Sequence, residues 1–378
     1  MLNIFSNNYT ELKPIVKWPG GKEKELKYII PNLPKFNRYF EPFVGGGSVF
    51  MAVNSEKYYI NDFSNELIEL YRNIASSNQQ FFKYLENIDT SWENVFSFFE
   101  ENIILVEIYL QYRSQKINQN ELKDKINHFC INNKEKILKI TSPFFSNLPC
   151  ILEKEMSVNL YRKMVRMKEL ENKIHILPEK DLFDNIETAL KSALYMNYRY
   201  LYNQTINNLD SLHIALFFFI RNYAYSGMFR YSSKGEFNVP YGGIGYNKKI
   251  MAKKIDYYKS DKLLQHFKKS EIYNLDFEQF LHEIEPQEDD FVFLDPPYDS
   301  EFNTYAKNSF TKKDQERLAN YLLRECKAKW MLIIKNTDFI YNLYNKEEIK
   351  IKSFDKEYLV SFMNRNDKKV THLLITNY

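Results

Sequence analysis

The run Arg38-Tyr39-Phe40-Glu41-Pro42-Phe43-Val44-Gly45-Gly46-Gly47-Ser48-Val49-Phe50-Met51-Ala52-Val53 constrains this chain more than any other segment. An apolar, aromatic stretch runs into three consecutive glycines and then into helix-forming residues. Only a strand, a tight turn and a helix satisfy that order, because glycine alone enters left-handed backbone without steric cost. The pattern recurs at once in Lys57-Tyr58-Tyr59-Ile60-Asn61-Asp62-Phe63-Ser64. That short β-prone run leads through an Asp/Ser start signal into a helix with Leu67, Ile68, Leu70, Tyr71 and Ile74 on one side. Strands alternating with helices at this spacing predict a parallel α/β sheet.

The C-terminal third returns to the same architecture. Phe291-Val292-Phe293-Leu294 predicts a buried strand that ends in the rigid turn Asp295-Pro296-Pro297-Tyr298. A helix follows with Thr311 as its N-cap and Asp314 three residues on. Further strands are predicted in Lys329-Trp330-Met331-Leu332-Ile333-Ile334 and in Thr371-His372-Leu373-Leu374-Ile375-Thr376.

Between these parts the texture changes. Glycine is absent from residues 76 to 220, and apolar residues recur at helical spacing, with Pro143 to Pro149 as a break. Glycine returns in Gly227, Gly235, Gly242, Gly243 and Gly245. There, two β-prone arms flank Ser232-Ser233-Lys234-Gly235, as in a hairpin. At 378 residues the chain exceeds one ordinary core. The expected division is a discontinuous sheet domain, 1–80 and 271–378, with an insertion at 81–270 that carries a hairpin at 221–245.

Besides Lys17-Trp18-Pro19-Gly20-Gly21-Lys22, a loop that could cover a bound nucleoside but that alone reads as a plain loop, three segments bear chemistry. The glycine turn offers close backbone approach and helix N–H groups to a ligand, and Asp62, 21 residues after Glu41, stands where an acid accepts ribose hydroxyls. No lysine follows the glycines as a phosphate loop requires, so a nucleoside without a polyphosphate fits better than NAD or ATP. In the Asp295 turn, two prolines fix the backbone and keep their carbonyls as acceptors. A carboxylate beside such a carbonyl can accept both protons of an exocyclic amine, and Tyr298 can stack on the base that bears it. In the third segment, Tyr223, Tyr225, Phe229 and Tyr231 interleave with Arg221 and Arg230. The span from 221 to 269 holds 11 Lys/Arg against three Asp/Glu, in a chain whose net charge is only +3. Cations for phosphates on a protruding hairpin suit nucleic acid; a solvated surface would give the same composition.

In this order, Lys17-Trp18-Pro19-Gly20-Gly21-Lys22, the glycine turn, Asn61-Asp62-Phe63-Ser64, the hairpin Arg230–Gly242 and the Asp295 turn together resemble the Dam-like (D12 class, α-group) DNA N6-adenine methyltransferases. The resemblance spans roughly 13–75 and 215–378. It implies a Rossmann-like S-adenosylmethionine-dependent methyltransferase sheet with an inserted helical plus β-hairpin target-recognition domain. It implies methyl transfer from S-adenosylmethionine to N6 of adenine in duplex DNA after base flipping, with GATC as the first target to consider. Carried over by position, Trp18, Lys22, Phe43, Gly45, Asp62, Asp276 and Phe277 contact the cofactor. Asp62 takes the ribose, and Asp276 with Phe277 takes the adenine. Asp295, Pro296 and Tyr298 hold the target adenine, with Asp295 also bordering the cofactor. Tyr225 probes beside the flipped base and Arg230 reads a guanine. Ser226, Met228, Lys234 and Pro240 complete the DNA-contacting set. Ser226 stands where simpler members carry Asn, Met228 where they carry Leu, and Phe229 where they carry a smaller residue.

N4-cytosine methylation, RNA adenine methylation and a catalytically silent DNA-binding module are the competing readings. Asp295, where N4-cytosine enzymes often carry Ser, favours adenine. Cys130, Cys150 and Cys326 show neither C-x-x-C nor a Cys/His cluster, so neither a disulfide framework nor a metal is expected. The N-terminus has no signal-peptide pattern, and the longest strongly apolar stretch is only Ile214–Ile220, so a cytoplasmic enzyme, monomeric or weakly dimeric, is expected. A restriction endonuclease acting on the same site is a possible partner.

Overall fold

The computed structural model describes residues 9–141, 143–228, 230–298, 310–357 and 369–378. Phe229, one of the hairpin aromatics singled out above, lies outside them. The chain forms two compact units: residues 1–75 with 260–378, and residues 76–259. The changeover points fall five residues before, and eleven residues before, those expected from composition.

The first unit opens with a one-turn helix α1 (Leu26–Ile29), strand β1 (Arg38–Glu41), the short helix α2 (Ser48–Ala52), strand β2 (Lys57–Asn61) and helix α3 (Asn65–Ala75). Tyr39, Phe40, Tyr58 and Ile60 are fully buried, and the apolar stripe of α3 buries Leu67, Ile68, Leu70, Tyr71 and Ile74.

The second unit is built of helices α4 (Gln79–Glu101), α5 (Ile104–Arg113), α6 (Gln119–Asn132), α7 (Lys134–Leu138), α8 (Leu152–Lys173), α9 (Glu179–Gln204), α10 (Ser211–Tyr223) and α11 (Ala252–Tyr258). The break expected at Pro143 is a 3₁₀ turn, Pro143–Phe145. Helix α10 is almost wholly buried. It also absorbs Arg221–Tyr223, because the run from Ile214 keeps its helical bonding to the C-cap at Ala224. The hairpin therefore starts later than expected. Its arms are joined by bridges at Ala224–Tyr241 and Tyr231–Phe237 rather than by regular strands.

The chain re-enters the first unit through α12 (Asp261–Lys268), β3 (Ser270–Tyr273), α13 (Phe277–Ile284), β4 (Phe291–Leu294), α14 (Lys312–Arg324), β5 (Lys329–Lys335), α15 (Asp338–Tyr344), β6 (Lys350–Glu357) and β7 (Lys369–Thr376). Thr311 and Asp314 form the expected capping box on α14. The seven strands lie in the order β3-β2-β1-β4-β5-β7-β6. The five strands β3, β2, β1, β4 and β5 are parallel, and β7 runs antiparallel to both β5 and β6. This is the Rossmann-like sheet that the resemblance implied. The strand order reverses between β1 and β4, and ligands of such sheets bind outside the carboxyl ends of the strands at that point. One face buries Trp330, Leu318, Leu322, Phe280 and Tyr344. Among the described residues no helix is long and apolar enough to cross a membrane.

Candidate active site

The turn after β1 is shaped by the protein's own contacts. Gly45 has φ +51°, and a Cβ there would lie 2.8 Å from the Trp18 ring; at Gly46 a Cβ would lie 2.4 Å from the Val16 carbonyl. The glycines thus let the N-terminal segment cross the turn at van der Waals distance, which their expected role in ligand approach did not anticipate. Trp18 is thereby seated on Gly45.

Asp62, one residue beyond β2, closes the same turn. Its Oδ2 accepts the Gly45 N–H at 2.9 Å and its Oδ1 accepts the Ser64 N–H at 2.9 Å. Desolvation pushes its carboxyl up to about 6, against the hydrogen bonds from Ser64, Gly45 and Phe63. Asn61 beside it was missed by sequence reasoning. Its buried amide donates to the carbonyls of Pro42 and Leu275 at 3.0 Å each and accepts the Leu275 N–H at 2.8 Å. It therefore ties together the loops that leave β1, β2 and β3.

Asp276 caps α13, accepting the Glu278 N–H at 3.0 Å. Its neighbour Phe277 sits 5.5 Å from Phe43 and 5.6 Å from Phe310, ring centre to ring centre. Arg317 of α14 lies 4.9 Å over the Phe277 ring and bonds Asp276 at 2.7 Å and Glu278 at 2.7 Å. Phe43, Asp276 and Phe277 are thus brought together, and Arg317 is an unanticipated member of the group.

At the end of β4 the Asp295 turn meets the N-terminal segment. The Lys22 ammonium contacts the Asp295 carboxylate, and it donates to the Tyr298 hydroxyl at 3.1 Å and the Gly20 carbonyl at 2.8 Å. Lys22, expected on the cofactor, is therefore seated on the residues expected to hold the target base. Glu41, at the end of β1, is fully buried. Desolvation and the nearby Asp295 charge hold its carboxyl well above the usual range, while the Tyr39 hydroxyl at 2.7 Å and Lys22 oppose the shift. Gln315 of α14, completely buried, donates to the Pro297 carbonyl at 3.0 Å. The Tyr298 ring meets the edge of His372 on β7 at 5.3 Å. Among the described residues no His/Cys/Asp/Glu group could hold a metal.

The hairpin residues belong to the other unit. Tyr225 is 47% exposed, and Ser226 is left-handed at φ 52°. Met228 is half-buried, while Arg230, Lys234 and Pro240 are exposed. The Arg230 Nε donates to Asn238 Oδ1 at 2.8 Å across the hairpin.

The described geometry suits S-adenosylmethionine. Asp62 carries a carboxylate with lone pairs to spare, three aromatic rings and Asp276 converge nearby, and the glycine turn lacks the lysine a polyphosphate needs.

The family described as D12 class N6 adenine-specific DNA methyltransferase matches residues 18–143 and 154–358. Type II methyltransferase M1.LlaDCHI of Lactococcus lactis subsp. cremoris is 24% identical over 100% of this chain and 99% of its own length. Type II methyltransferase M.CviBI of Paramecium bursaria Chlorella virus NC1A is 26% identical over 97% of this chain and all of its own. The DNA adenine methylase of Escherichia coli K12 is 22% identical over 96% of this chain and 94% of its own.

Proposed function

This chain belongs to the D12 class of N6 adenine-specific DNA methyltransferases, and from that premise we propose that it moves the methyl group of S-adenosylmethionine onto N6 of one adenine within a specific duplex sequence. The observation that carries the reading is the grouping of the Gly45 turn with Asp62 and of Asp295 with Lys22 and Tyr298, at the carboxyl ends of β1, β2 and β4.

When bound, S-adenosylmethionine supplies a methyl group on a positively charged sulfur. The chain supplies position. Asp62 accepts the ribose hydroxyls while its hold on Gly45 keeps the turn shaped. Phe43 would line the adenosine site, and Phe277 with Asp276 would hold the cofactor's adenine. Trp18 covers the turn. The target adenine leaves the stack, at a cost of a few kcal/mol. Its amine then donates to the Asp295 carboxylate and the Pro296 carbonyl, so that its lone pair would attack the methyl; the C–S bond breaks to give a neutral thioether, and the methylated amine loses its surplus proton to solvent. The Tyr298 ring stacks on the base. Most of the acceleration comes from proximity and orientation. For the base to enter, the Lys22 ammonium moves off Asp295.

Tyr225, Ser226, Met228, Arg230, Lys234 and Pro240 contact DNA from the hairpin, with GATC as the first sequence to test. The split into a catalytic domain and an inserted recognition domain, a cytoplasmic location, a monomer or weak dimer and a companion restriction endonuclease belong to the same reading. The type II names of the relatives support the last of these. The test is transfer of tritiated methyl to duplex DNA by Asp295→Ala. Transfer is expected to vanish while cofactor binding persists, and full turnover would refute the assignment.

A further inference from the structure

The return arm of the hairpin alternates strictly. Phe237, Val239 and Tyr241 are buried, whereas Glu236 and Pro240 are exposed and Asn238 is half-buried. Such a period of two marks an extended segment with one face on a core. The Asn238 N–H pairs with the Arg230 carbonyl at 3.1 Å and the Ser232 N–H with the Glu236 carbonyl at 2.7 Å, so these residues bond inward to the first arm. The backbone groups of Phe237 and Val239 then face outward, as on any edge strand, and need partners.

Helix α9 supplies them for both backbone groups of Phe237 and for the Val239 carbonyl. Asn203 brackets Phe237, donating from Nδ2 to its carbonyl at 3.1 Å and accepting its N–H on Oδ1 at 2.9 Å. The Val239 carbonyl accepts from Tyr195 Oη at 3.0 Å and Arg199 Nη1 at 3.2 Å. Further along, Asn247 donates to Thr188 Oγ1 at 2.9 Å and accepts from the Tyr241 hydroxyl at 2.9 Å, and its carbonyl accepts from Lys191 Nζ at 2.6 Å. Residues 188, 191, 195, 199 and 203 are three or four apart, so they form one stripe along α9. A side-chain ladder on a helix thus takes the place of a neighbouring strand.

Asn238 lies between the two residues that α9 clamps, and its side chain holds the Arg230 guanidinium through Nε. We propose that α9 sets sequence discrimination, with Asn203 and Asn238 as positioning residues that fix the direction in which Arg230 presents its terminal nitrogens. This rests on the reading of Arg230 as a base reader. A bidentate arginine discriminates only if its fork is held in plane with the base edge, and a guanidinium anchored through Nε is ordered before it meets DNA.

The test expresses the full chain, and the variants Arg230→Ala, Asn203→Asp and Asn238→Ala, in a host without adenine methylation, and reads the genome by long-read sequencing. Asn203→Asp keeps the acceptor for the Phe237 N–H but sets a carboxylate oxygen against the Phe237 carbonyl in place of the donor. Asn238→Ala is a half-exposed change on the hairpin and leaves the α9 ladder whole. All three variants are expected to relax the same single base position, by about tenfold in the ratio of cognate to near-cognate methylation. If Arg230→Ala relaxes a position while both asparagine variants only lower methylation evenly at unchanged preference, the proposal falls and the reading of Arg230 stands. If Arg230→Ala leaves every position unchanged, the reading of Arg230 falls first and takes the proposal with it.

Discussion

Lys22 and Asp295, 273 positions apart in sequence, form an ion pair in which the lysine side chain is only 2% exposed and the aspartate 18%. Two charges so nearly removed from water are tolerable only together, and removing one strands the other. Lys22→Met is expected to cost about 3 kcal/mol of unfolding free energy, the low end of the buried-pair range because Asp295 keeps some solvent. The double variant Lys22→Met/Asp295→Asn is expected to recover much of that loss. Urea titration of Lys22→Met, Asp295→Asn and the double variant measures the coupling, and strictly additive losses would deny that the two charges depend on each other.

The ribose contact proposed for Asp62 would tie cofactor binding to pH. Its carboxyl rises from 3.8 to about 6 in the folded chain. Between about pH 4 and 6 the folded state therefore holds a proton that the unfolded chain has lost, so this group's contribution to stability grows as pH falls through that window and is lost above it. Binding runs the other way. A protonated Asp62 gives up an acceptor that the proposed ribose contact uses, so on that reading the Kd for S-adenosylmethionine is expected to rise below about pH 6. Calorimetry from pH 5 to 8 tests this. Asp62→Asn should bind weakly and lack the inflection, and an inflection that survived in it would assign the effect to another group.

Arg317 joins Asp276, Glu278 and Asp314 at 2.7, 2.7 and 3.0 Å, with side chains between 23% and 39% exposed. Pairs so exposed stabilise a fold by less than about 1 kcal/mol. Their consequence lies in the direction of the Asp276 carboxylate. Arg317→Ala is expected to raise the KM for S-adenosylmethionine about tenfold, ~1.4 kcal/mol, while kcat at saturating cofactor changes little. A fall in kcat at unchanged KM would remove Arg317 from the cofactor side.

The legible parts of this chain were those whose cause is local. Phe291–Leu294 is apolar at every position, and its four residues are buried at 0% exposure. Thr311 and Asp314 stand at capping-box spacing and form that box. The illegible parts depend on distant partners. Strand β6, Lys-Ile-Lys-Ser-Phe-Asp-Lys-Glu, is an edge strand too charged to stand out, and it exists because β7 pairs with it. Asn61 and Gln315 look like ordinary polar residues until Leu275 and Pro297 reach them. The aromatic periodicity of α9 announced a helix. That its polar stripe meets the hairpin depends on Phe237 and Val239, 34 and 40 or more positions away.

Ser226 carries left-handed backbone, φ 52° and ψ 18°, directly before Gly227 at φ 62°. Serine enters that region reluctantly, and asparagine does so readily. Ser226→Asn is expected to stabilise the second unit by roughly 0.5–1 kcal/mol. A thermal unfolding midpoint that falls would show that the side chain of Ser226, rather than its backbone, decides the position.

The central claim is that this chain methylates adenine N6 at a defined DNA sequence. Long-read sequencing of genomic DNA from a methylation-free host expressing the unaltered chain tests it most directly, because base and context are read together. The account predicts N6-methyladenine at nearly every copy of one short sequence and nowhere else. DNA without any methylated adenine, or with methyl groups on cytosine N4 instead, would contradict it.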